Sequence, residues 1–289
     1  MQNMPSDKDM TPWEGTKKDF QQSWRLLKEN YRAFLGTELF AIACFLLIFF
    51  IYALVVFIAN PDTQSQFSRR FVEETSFRWF TLSLGYIILI AFINCQTGLA
   101  HDIMSSGDMY ADFKSSFSYF AQNWWKYVLL SIFTGTISMG VFMDPRMQSH
   151  GSLNPPFFNF GMIVLIIGVL ILAFLWHCMT IQSLASINAQ PSFFKAITES
   201  FRVFKANPKR VLSTWGIYFL IFSAPSVVYE IIIAFTYSDI QKPLLIVPFV
   251  ILFNLFVIFI GLPLRALLAT GLYNNINFKR VVSDHKTPT

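Results

Sequence analysis

Long apolar tracts alternate along this chain with short stretches that hold nearly all of its charge. From residue 39 to residue 59 the run LFAIACFLLIFFIYALVVFIA carries no charge at all. A helix rising about 1.5 Å per residue over such a run covers the roughly 30 Å hydrocarbon core of a bilayer. Asn60 and Pro61 then end it, because proline cannot continue a helix. Five further tracts of the same kind cover 79–100, 127–142, 158–186, 211–235 and 244–271. The third is short, and the fourth is long enough to tilt. The pattern predicts an all-α, polytopic membrane helix bundle with six transmembrane helices.

The polar stretches between the tracts resemble one another. They read DFQQSWRLLKENYR from Asp19, DFKSSFSYFAQNWWK from Asp112 and AITESFRVFKANPKR from Ala196. Aligned without gaps, Ser23, Ser116 and Ser200 coincide, as do Asn30, Asn123 and Asn207. So do the apolar positions: Phe20, Trp24, Leu27 and Tyr31; Phe113, Phe117, Phe120 and Trp124; Ile197, Phe201 and Phe204. Their i, i+4, i+7, i+11 spacing makes one face of a helix, with Lys, Arg, Gln and Ser opposite. An amphipathic helix of this composition beside a span fits the bilayer interface. The alternative is a helix packed against its cytoplasmic neighbours. Each asparagine is expected to end this helix and to cap the next through its side-chain oxygen. Pro208 suits the first position of such a following helix.

Each unit is therefore an interfacial helix followed by a transmembrane hairpin. Three units, at about 19–100, 112–186 and 196–271, make a single membrane domain over 19–271. A polar tail at 1–18 precedes it, and a cytoplasmic tail at 272–289 follows. All units start on the same side, unlike the inverted repeats of many transporters.

Composition and charge set the environment. Only 13% of residues are charged and 54% are hydrophobic, whereas a soluble domain carries about 25% charged residues. Lys and Arg concentrate before the first tract, around the repeats and after the last tract; Arg69, Arg70, Arg78, Arg146 and Lys242 lie on the other side. By the positive-inside rule both termini are expected in the cytoplasm; the membrane expected is a prokaryotic cytoplasmic one. The net charge of +5 is assigned to topology and lipid headgroups, and no nucleic-acid partner is expected without a dense basic patch. The polar amino-terminal stretch and the length of the first apolar run argue against a cleavable signal peptide. Cys44, Cys95 and Cys178 are odd in number and scattered, which gives no disulfide framework and no zinc spacing.

Few residues offer chemistry. Glu38 and Arg265 lie in the cytoplasmic halves of the first and last tracts and are candidates for an intramembrane ion pair. Arg32, Lys126, Lys209 and Arg210 follow the aligned asparagines and are candidates to snorkel to lipid phosphates. Asn94, Gln96, His177 and Asn254 would bond between helices or line a cavity. His101 and Asp102 sit at a cytoplasmic helix end with Asp108 and Asp112 nearby; a solvated loop is expected there over a weak cation site, because the spacing matches no defined ligand set. The sequence contains no Walker loop, GxSxG, HExxH or dinucleotide fingerprint, so no catalytic residue, metal or cofactor is expected.

Ser200-Phe201 through Asn207-Pro208-Lys209-Arg210 ahead of an apolar span, the echo at Ser116-Phe117 through Asn123, and GLYNNI at 271–276 carry a family resemblance. The chain resembles, over nearly its whole length, the six-span membrane domain found with some bacterial glycerophosphodiester phosphodiesterases and related multi-pass proteins. The resemblance implies the fold and no enzyme, because the phosphodiesterase activity belongs to a separate catalytic barrel of over roughly 200 residues. Membrane lipids, and other membrane proteins, are the expected partners. The first expectation is a non-catalytic scaffold or accessory subunit organising lipids or proteins at the cytoplasmic interface. A transporter or lipid-moving protein with a cavity between repeats comes second, and an intramembrane lipid-acting enzyme third. The sparse set of buried ionisable groups sets that order.

Overall fold

A computed structural model describes residues 11–59, 91–105, 113–133, 160–189, 192–225 and 252–284, and the regular elements among them are all helical. They are α1 (Pro12–Glu29), α2 (Tyr31–Ala59), α3 (Gln96–Ser105), α4 (Phe113–Phe133), α5 (Phe160–Thr180), α6 (Gln182–Ser186), α7 (Phe193–Ala206), α8 (Pro208–Phe222) and α9 (Leu262–Asp284). Within the described helices, Tyr31–Ile48 and Leu252–Ile276 are long and apolar enough to cross a bilayer, and Ile171–Ser186 is a shorter apolar stretch. Residues 79–90, 134–142, 226–235 and 244–251 of the expected tracts lie outside the described residues.

The first helix starts inside the expected polar tail. Thr11 and Glu14 form a capping box: the Glu14 carboxylate accepts from the Thr11 N–H at 2.8 Å, and the Glu14 N–H donates to the Thr11 hydroxyl at 3.3 Å. Two donors of an otherwise unsatisfied helix end are met this way. The bond from the Thr11 N–H, with one from the Thr11 hydroxyl to the same oxygen at 2.9 Å, holds the Glu14 carboxyl below its ordinary range. At the other end, the expected tail from 272 is a continuation of α9, which runs to Asp284. Leu272, Tyr273 and Ile276 are buried, so the apolar inward face of that helix simply outlasts the apolar tract.

Helices break at each of the three aligned asparagines. Asn30 has φ −113° and ψ 16°, Asn123 has φ −130° and ψ 15°, and Asn207 has φ −151° and ψ 64°. A short polar side chain competes for backbone partners and so tolerates such a break. At Asn207 the expected capping of the following helix is corrected. The Asn30 N–H and Nδ2 both donate to the Leu26 carbonyl, at 3.0 and 3.1 Å, closing the helix behind. The Asn207 side chain makes no cap bond; Pro208 disfavours helical geometry at the residue before it and so forces the break. Asn123 Oδ1 accepts from Lys126 Nζ at 2.8 Å.

The centre of the packing is α9, which lies against α1, α3, α6, α7 and α8. Leu267, Leu268 and Leu272 of α9 meet Leu99, Ile181 and Leu184 in one fully buried apolar cluster. The helix widens just before α9, over Val257–Gly261, where the Leu262 N–H donates five residues back to Val257. Pro263 lacks the N–H that the Phe259 carbonyl would take, and a wider turn absorbs the lost bond. The Gly261 carbonyl accepts from the Tyr218 hydroxyl at 3.1 Å, and a Cβ at Gly261 would meet the Phe222 ring at 2.8 Å.

Candidate functional site

The inward side of α1 is small and polar. Gly15, Thr16, Asp19 and Ser23 are buried there, with Leu26 and Leu27. Arg210, at the start of α8, donates from Nε and one terminal nitrogen to the two Asp19 oxygens at 2.8 and 2.6 Å. Asn275 of α9 donates to the same carboxylate at 3.2 Å, and the Thr16 and Thr214 hydroxyls meet at 3.3 Å. Gly15 makes room for this: a Cβ there would stand 3.1 Å from Arg210 Nε. Arg210 was a candidate headgroup contact, and the structure corrects that assignment. The side chain is 4% exposed because a fork-shaped guanidinium finds a matching carboxylate inside. Ser200, the α7 counterpart of Ser23, is also buried and donates to the Met179 carbonyl at 2.7 Å.

The outward side of α1 is aromatic and basic. Trp13, Lys17, Trp24 and Lys28 follow the spacing of one helical stripe, and Phe20 on the same stripe is partly buried against the core. Trp13 is 63% exposed, and Trp24 and Tyr31 are also open. On α4, Phe117, Trp124 and Trp125 are exposed, and on α7 Phe194 is 77% exposed. Two lysines cover neighbouring indoles: Lys28 Nζ lies 5.6 Å from the Trp24 ring centre, and Lys126 Nζ lies 5.6 Å from that of Trp125. Arg32 and Lys209 are exposed as well. Three of the four candidate headgroup residues thus remain outside or at the surface edge, and one does not.

Glu38 and Arg265 do not pair with each other. Glu38 is 1% exposed, and its Oε1 accepts from Gln96 Nε2 at 3.1 Å. Arg265, 8% exposed, donates a short hydrogen bond to Asn94 Oδ1. The expected ion pair is corrected to two charged-to-amide contacts, because α3 and the turn before it pack against both partners' helices and present two amides two residues apart. His177 is half-buried, with its ring edge-on to Trp215 at 5.7 Å. Asn254 is exposed. Of the four polar candidates, Asn94 and Gln96 therefore share a locus with the two charges, whereas His177 and Asn254 stand elsewhere.

At the far end of α3, Asp102 accepts from the Tyr119 hydroxyl at 2.5 Å. Burial, and then that bond, push the Tyr119 phenol up. Burial pulls the His101 imidazole down, with the Asp102 charge opposing. A Cβ on Gly98 would come within 2.5 Å of the Tyr119 ring, so only glycine lets α3 and α4 approach this closely. Among the described residues no group of three or more His, Cys, Asp or Glu side chains is placed to hold a metal. Sequence reasoning missed the Asp19–Arg210 pair; an acid on an otherwise small helix face was the signal available. Comparison with family models, curated proteins and solved structures finds no match to this chain.

Proposed function

We propose that this chain is a non-catalytic, six-span protein of a prokaryotic cytoplasmic membrane, with both termini cytoplasmic. It serves as a scaffold or accessory subunit that organises lipids or partner proteins at the cytoplasmic interface. The observation that carries the reading is the orientation of α1. Its small polar face turns inward onto Arg210 and Thr214, and its Trp–Lys stripe turns outward. A soluble packing would hide Trp13 and Trp24 and expose Asp19. Indoles sit at headgroup depth, and each basic residue near an anionic surface contributes about 1 kcal/mol. The helix breaks at Asn30, Asn123 and Asn207 support the three-unit organisation, and the sequence resemblance points the same way.

The test is reconstitution of the full chain in lipid nanodiscs containing lipids brominated at different depths. Indole fluorescence is expected to be quenched most by bromines near the headgroups, and Lys28→Ala with Lys126→Ala is expected to reduce co-purifying anionic lipid several-fold. Indoles that stay unquenched, with unchanged lipid content, would show that these helices face water or protein. The reading as a transporter draws on Glu38, Asn94, Gln96 and Arg265 being buried together. Their hydrogen bonds run from helix to helix, which favours a scaffold.

A further inference from the structure

We propose that Glu38 is a proton-binding site, held as a neutral carboxylic acid in a cyclic pair with the side-chain amide of Gln96. The inference is independent of the scaffold reading. It starts from the two atoms left over after the observed bond. Gln96 Nε2 donates to Glu38 Oε1. The remaining oxygens, Glu38 Oε2 and Gln96 Oε1, are both buried and both without a hydrogen-bond partner. Two acceptors on one bonded pair form an unfavourable end, since neither can donate to the other. Buried polar atoms almost always find partners, and each exception calls for a physical explanation.

One proton removes both exceptions. A protonated carboxyl is a donor as well as an acceptor. Placed on Oε2, the proton lets Glu38 donate to Gln96 Oε1 while Gln96 continues to donate to Glu38 Oε1. The result is the closed acid–amide ring that carboxylic acids and primary amides form in apolar media. An ionised Glu38 would instead keep a full charge in an apolar setting with a single neutral donor. Burying an unpaired carboxylate costs far more than burying a neutral acid that is hydrogen-bonded.

The surrounding charges leave Glu38 alone. Within the helices that pack on α2, Lys28 of α1 lies over Trp24, and Arg25 is within 3.9 Å of Glu29. On α3, Asp102 is bonded to Tyr119 of α4, and His101 stands beside it. On α4, Lys126 is bonded to Asn123, and the Tyr127 hydroxyl to Asn188; Lys114, the remaining cation there, is exposed. The wide turn before α9 carries no ionisable group, and Arg265 beyond it is bonded to Asn94. Among the described residues, no cation forms an ion pair with Glu38.

The proton is read directly by infrared spectroscopy of the full chain in nanodiscs at neutral pH. The difference spectrum, wild type minus Glu38→Gln, is expected to contain the carbonyl stretch of a protonated carboxylic acid, shifted down in heavy water. Glu38→Gln preserves the geometry, because two amides close the same ring. In Gln96→Leu the band is expected to move to higher frequency as its hydrogen bonds are lost. A carboxylate stretch in place of the acid band overturns the proposal. Should the variants fail to fold, the wild-type spectrum is followed across pH instead. An acid band present at neutral pH that gives way to a carboxylate band on alkalinisation supports the site; the absence of an acid band at neutral pH overturns it.

Discussion

Asp19 and Glu38 stand on consecutive helices and are almost equally hidden, at 3% and 1% exposed, yet their partners could hardly differ more. Asp19 receives two nitrogens of Arg210 and the amide of Asn275. Glu38 receives one amide. A guanidinium stays protonated under all ordinary conditions, so the first carboxyl is met by a permanent charge. Burial alone therefore does not decide the state of an acid in this fold. What decides it is whether a neighbouring helix delivers donors to both oxygens. The charged pair ties α1 to α8 and α9, and the acid–amide contact ties α2 to α3.

Substitutions that remove one side of a pair separate the two cases most sharply. Arg210→Ala or Asp19→Ala leaves a buried charge uncompensated, with an expected loss of about 3–5 kcal/mol. Thermal unfolding of the purified protein in detergent checks this. Asp19→Leu with Arg210→Met should recover most of the loss, and no recovery would mean that the pair carries more than its own electrostatics. Next in size is Gly98→Ala, which drives a methyl group into the near end of the Tyr119 ring, where rotation of the side chain gives little relief. Overpacking of this kind costs roughly 1–3 kcal/mol, read in the same melt. A smaller change is expected for Glu38→Gln, at most about 0.5–1.5 kcal/mol, the worth of one neutral hydrogen bond. Asp19→Asn should cost about 3–5 kcal/mol, because it too leaves Arg210 buried without a countercharge. Equal effects of the two amide substitutions would erase the contrast.

The smallest effect belongs to His101. Burial holds its folded-state pKa below the ordinary value near 6.5. Its contribution is therefore complete above that unfolded-state value and is lost as pH falls through the lowered one. Melting temperature should decline on acidification below neutrality, and His101→Gln should flatten that decline. An unchanged slope would assign the acid sensitivity to other groups.

Much of the helical layout was legible in the sequence. The uncharged run after Glu38 and the apolar tract before Gly271 overlap the two long apolar helices, and the aligned Asn30, Asn123 and Asn207 mark real breaks. Periodicity and breaker residues are local signals, and they locate local structure. The site was less legible. Arg210 follows Asn207-Pro208-Lys209 just as a snorkelling residue would, and only the approach of α1, with glycine at position 15, turns it inward. Glu38 and Arg265 looked complementary by sign and depth, but Asn94 and Gln96 reach them first. Partner choice depends on which helix intervenes, and a one-dimensional pattern holds no record of that. At the ends of the domain the helices run past the hydropathy boundary. Thr11 with Glu14 is a readable helix start, and Leu272, Tyr273 and Ile276 are a readable continuation, but both lie beyond the hydropathy boundary that suggested tails.

The position of α9 bears on how the protein is made. Asn275 reaches back across 256 residues to Asp19, and α9 leaves the ribosome after the other described helices. Until it arrives, α1 lacks one of its donors, and the buried faces of α3, α6 and α7 lack their common neighbour. Consolidation of the bundle is thus a late, non-local event, of the kind that slows folding. Until then the earlier helices stand with polar side chains uncovered. A nascent chain at that stage exposes surfaces that the folded protein hides.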